Sequence, residues 1–180
     1  MTTDAVLINI LQDCVGAIQV PDPNNPSSNL VINYQAGRSI QIITDLISKD
    51  NAPSQKGLKY PLFALIVPVK EKRGGDGFYS DVKISRIVIM YSTKTDTGTE
   101  TVLSKYSSDG VFATVLRPIY VQFLQQLAIN PFVNIQDADL IVHTYMENPC
   151  QQPVGEGITD YVDSIELFGL EFILNQIKNC

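Results

Sequence analysis

The sequence predicts an α+β domain, a mixed or mainly antiparallel sheet of four to five strands with two to three packed helices. Three observations predict it. The segments Asp4 to Ile18 and Val111 to Ile129 carry apolar residues at helical spacing. Pro61 to Val69, Asp81 to Thr93 and Tyr161 to Leu174 have the length and apolar density of buried strands. The first two of these are separated only by a glycine-rich stretch, which reads as a hairpin and makes them antiparallel.

Taken in order, Leu7, Ile10, Leu11, Cys14, Val15 and Ile18 form one stripe of the first helix. Thr3 or Asp4 can cap it, because a side-chain oxygen accepts a free N–H of the first turn. Pro21, Pro23 and Pro26 then forbid a continuing helix, so 21–28 reads as a turn-rich connector. Asn29 to Tyr34 reads as a short strand, broken by Gly37. From Ser39 to Ser48, Ile40, Ile43, Leu46 and Ile47 share a helical face, although Ile40 and Ile42 alone also fit a strand. Lys49 to Gly57 is polar, contains Pro53 and reads as a loop.

The run Pro61 to Val69 predicts a strand buried on both faces. Glu71 to Ser80, with Gly74, Gly75 and Gly77, reads as a long hairpin loop. In the next strand the apolar positions are Val82 and Ile84, then Ile87, Ile89 and Tyr91. The alternation slips by one near Ser85-Arg86. A regular strand would turn its apolar face to water there, so a β-bulge is expected. Lys94 to Ser108 is a polar excursion. In the strongest helix Val115, Ile119, Phe123 and Leu127 form the stripe, flanked by Leu116, Tyr120 and Leu124. Pro118 either opens the regular helix, where its missing N–H costs nothing, or kinks it. Asp139 to Tyr145 reads as a third central strand and Glu147 to Gly157 as a loop. The last strand slips phase at Phe168-Gly169, where glycine marks a bulge or bend. No boundary splits the core, so 1–180 is expected to be one structural domain, with 71–80 and 94–108 as candidate interaction loops.

Composition narrows the function classes. The chain is 44% hydrophobic and 18% charged, enough apolar material for a core and too little charge for a disordered chain. No apolar run approaches the ~18 residues of a membrane span, and the start Met1-Thr2-Thr3-Asp4 lacks the basic residues of a secretory signal. Cys14, Cys150 and Cys180 are few, odd in number and widely spaced, which argues against a disulfide framework or a CxxC zinc site. These features predict synthesis in a reducing cytoplasm. The net charge of −6 repels phosphate, so specific nucleic-acid binding is not expected. The one small basic cluster, Lys70, Lys72 and Arg73, fits a solvated turn.

The residues that carry chemistry are sparse. His143, the only histidine, alternates with Ile141 and Tyr145 in a strand, the setting of a packed histidine rather than a base. A meeting of His143 with Cys150 stays open, but no nucleophile motif surrounds either. Gly74-Gly75-Asp76-Gly77 precedes a strand, whereas a phosphate loop precedes a helix. Asp160, Asp163 and Glu166 would share a face on a helix, but their neighbours read as strand, where Asp160 and Asp163 point to opposite sides. Asp137 and Asp139 lack a calcium-loop pattern. No catalytic residue, metal or cofactor is therefore expected. Phe78 with Tyr79, Tyr106 and Tyr145 sit at expected edges, where aromatics serve either as interface anchors or as local core.

The order of short motifs resembles a known group. After a leading amphipathic helix come Tyr34-x-x-Gly37 and Lys59-Tyr60-Pro61-Leu62-Phe63-Ala64-Leu65, then a glycine-rich turn and a long strand. Leu116-Arg117-Pro118-Ile119-Tyr120 opens the major helix, and Asp160-Tyr161-x-Asp163-x-Ile165-Glu166 lies near the close. In this layout, from about Leu30 onward, the chain is similar to tail terminator or tail-completion proteins of tailed phages and phage-like particles. That resemblance implies a non-enzymatic α+β subunit of a ring, commonly six-membered, that stops tail-tube growth and joins the tube to the neck. It implies residence in the virion tail or neck. The implied partners are copies of itself, the tube protein and a neck or head-completion protein, with no membrane. The residues expected at the subunit or tube interface are Lys70, Lys72, Arg73, Asp76, Phe78 and Tyr79, with Phe78 and Tyr79 as an apolar foot on a mobile arm. A neck or baseplate adaptor, and a small enzyme or ligand-binding domain, stay open as alternatives.

Overall fold

The computed structural model describes residues 3–50, 59–74, 79–92, 107–137, 140–144 and 162–175. Helices α1 (Thr3–Gly16), α2 (Ser39–Asp50) and α3 (Arg117–Ile129) accompany two sheets. A small hairpin pairs β1 (Pro21–Asp22) with β2 (Asn25–Asn29). The principal sheet holds β3 (Asn33–Gly37), β4 (Leu62–Arg73), β5 (Tyr79–Ser92), β6 (Val133–Asp137), β7 (Leu140–Thr144) and β8 (Val162–Asn175). Its order is β3-β4-β5-β8-β6, with β7 also on β8. Only β3 and β4 pair in parallel; the other pairs of this sheet are antiparallel. The fold is α+β.

The two faces of the sheet are covered differently. On the inner face α1, through Leu7, Leu11 and Val15, and α3, through Ile119, Phe123 and Leu127, bury Phe63, Leu65, Ile87 and Ile165 in the larger core. The Phe63 and Phe123 rings lie 4.6 Å apart and tie strand to helix. On the outer face α2 buries Ile42, Ile43 and Leu46 against Leu62, Ala64, Val88 and Met90. The buried stripe therefore uses Ile42, while Ile40, expected on it, is 48% exposed.

Both expected phase slips are present, and they lie side by side. Val82, Ile84, Ile87 and Ile89 all enter the inner core, as do Leu170, Phe172, Leu167 and Ile165 of β8. Ser85 and Gly169 fall at the same level between β5 and β8, whose numbering stays in step. Gly169 has φ of 69°, a conformation only glycine adopts without strain. The extra residue sits in neither slipped strand but in β4, where Val67 and Pro68 face Ser85 alone. The Ser85 hydroxyl closes this bulge by donating to the Pro68 carbonyl at 3.1 Å. At the same level β6 ends and β7 begins along β8. One bend thus crosses the whole sheet and divides it into an upper half, under α2, and a lower half.

Several expectations need correction. Residues 21–28 lie largely in the β1–β2 hairpin, with the Asn24 N–H donating to Asp22 Oδ1 at 2.8 Å; backbone pairing forms it although the side chains are exposed. The strand expected at 29–34 lies at 33–37, because parallel pairing with Leu62–Ile66 sets its position and Gly37 is its last residue. Val31 is left 80% exposed. Within the loop expected over 71–80, residues 71–73 and 79–80 are ladder, with Arg73 paired to Ser80 and Glu71 to Val82, while 75–78 lie outside the described residues. β6 was not expected, and β7 is an outer strand that pairs only with β8 among the described residues, not a central strand. Pro118 opens a regular helix: Phe112–Leu116 is a π-helical turn whose wider spacing lets the Arg117 N–H donate to the Phe112 carbonyl, and α3 starts there.

Tyr34, on the edge strand β3, packs against Phe63 with its hydroxyl buried and without a hydrogen-bond partner among the described residues. Burial pushes its pKa well above the ordinary tyrosine range. The folded protein therefore keeps this proton where the unfolded chain loses it. The resulting stability is complete below about pH 10 and falls as the pH rises beyond that. Tyr34→Phe removes an unpaired buried hydroxyl and is expected to match or exceed the parent in stability at neutral pH. Urea midpoints at about pH 8 and about pH 10.5 are expected to differ less in the variant than in the parent. An equal difference in both would contradict this placement of Tyr34.

Candidate interaction surface

Below the bend the outer face of the sheet carries a polar array where α2 does not reach. Alternation places Lys70 and Lys72 of β4, Asp81 and Lys83 of β5, Glu171 and Ile173 of β8, and Asn134 and Gln136 of β6 there. A shallow groove of about 420 Å³ runs over this array. Lys70, Lys72, Asp81, Lys83 and Gln136 are exposed, and Ile173 is half-buried. The Lys83 ammonium pairs with the Glu171 carboxylate. A hydrated pair of this kind adds about 0.2–1 kcal/mol, so it orients two charges more than it stabilises the sheet.

Register gives the charges a direction. At one level stand Lys70, Lys83, Glu171 and Asp137, in the strand order β4, β5, β8, β6. On the described side chains, the positive Lys70 and Lys83 are followed by the negative Glu171. The next level holds Lys72, Asp81, Ile173 and Asn134. The same asymmetry runs through the sequence, where eight carboxylates and no Lys or Arg lie between Arg117 and Lys178.

The hairpin end completes the surface. The Gly74 N–H donates to the Tyr79 carbonyl at 2.9 Å, and the Tyr79 ring lies directly over Gly74, where a Cβ would meet ring atoms at 2.4 Å. An aromatic ring covering a cross-strand glycine shields the local backbone and holds the register. Tyr79 therefore spends part of its apolar surface within its own hairpin and is 37% exposed. Lys70, Lys72, Arg73 and Tyr79 thus gather at one end of the sheet. Asp76 and Phe78 lie outside the described residues, as do most of 94–108 and Cys150. His143 stands in β7 opposite Ile165.

Above the bend the carboxylates have other partners. Glu166 is buried and accepts from Arg86 Nε at 2.6 Å, while the Arg86 guanidinium sits 5.7 Å from the centre of the Phe168 ring. Asp163 is buried on β8 at an odd position, so alternation puts it on the other face from Glu166. Sequence reasoning missed the charge gradient, because it depends on cross-strand register. The absence of Lys and Arg between Arg117 and Lys178 was the available signal. Compared with protein families, with curated proteins and with solved structures, the chain matches none.

Proposed function

We propose that the protein is a structural ring subunit that caps or terminates a phage-type tail tube and joins it to the neck. The observation that carries this reading is the open lower half of the sheet. It is an array held by ladder hydrogen bonds, polar enough to stay hydrated in a free subunit, yet bordered by strand edges among the described residues. A surface of that kind suits a subunit that folds first and assembles afterwards. Its partners are copies of itself, the tube protein and a neck protein, and its place is the virion tail or neck after synthesis in the host cytoplasm. The net charge of −6 suits a passage through which DNA slides without adhering.

Removal of the gene from a phage or phage-like particle that encodes it is the test. Tubes of irregular, excessive length without attached heads are the expected result, reversed by supplying the protein. Tubes of normal length lacking heads would point instead to a neck adaptor. Normal particles would overturn both.

A further inference from the structure

We draw no further inference here: the strongest candidate, the shallow groove on the outer face of the lower half-sheet, is lined by Lys70, Lys72 and Lys83 together with Glu71, Asp81 and Glu171, so its charge selects no occupant, and nothing in the structure shows what covers it.

Discussion

Phe123→Ala is expected to destabilise the protein by about 3–5 kcal/mol, the range for truncating a fully buried phenylalanine. Phe123 has no exposed surface and meets Phe63 at 4.6 Å, in the layer where α3 lies on β4. The loss has two parts. The removed ring no longer leaves water, and the void cannot collapse, because α3 is held by Ile119 and Leu127 on either side. A small domain has a total stability of about 5–15 kcal/mol, so a shift of this size is a large fraction of it. Urea denaturation, with the slope compared between parent and variant, is the measurement. Phe123→Leu keeps most of the volume and is expected to lose much less. A loss below about 1 kcal/mol for the alanine variant would mean that α3 does not dock on the sheet as described.

Glu166→Ala is expected to cost about 2–3 kcal/mol, less than a fully buried pair would show. Glu166 is 5% exposed, and its carboxylate accepts a charge-assisted bond from Arg86 at 2.6 Å. Removing it leaves a guanidinium that is three-quarters buried. Arg86 keeps its contact with the Phe168 ring and some access to water, which holds the penalty below the extreme. The double variant Arg86→Met with Glu166→Leu removes both charges and is expected to recover most of the loss, since neither charge of the pair is then left buried without the other. Equal losses in the single and double variants would show that packing, not the uncompensated charge, sets the cost.

Much of the fold was legible because its signals are local. The stripes of α1 and α3, the apolar runs of β4, β5 and β8, and both phase slips follow from spacing along single segments. Features that depend on pairing were not legible in the same way. β3 lies a few residues beyond its apolar stretch because β4 sets its position. β6 has only Val133 and Ile135 to mark it, too short an alternation to separate from a loop. The extra residue of the bend is in β4, hidden inside a continuous apolar run, while the visible slips are in its neighbours. Ile40 and Ile42 compete for the same helical stripe, and only the sheet beneath α2 decides between them. Lys70, Lys72, Arg73 and Tyr79 were chosen for their place in a glycine-rich hairpin. They sit on ordered strands instead, where register sets Lys72 across from Asp81 but Lys70 across from Lys83 and Arg73 across from Ser80.

Native mass spectrometry of the purified full chain, over rising concentration and again with tube protein added, tests the ring claim most directly. The expected result is one discrete closed oligomer, six-membered by the resemblance noted above, forming alone at high concentration or on the tube. A two-fold dimer as the end point, under both conditions, would contradict it.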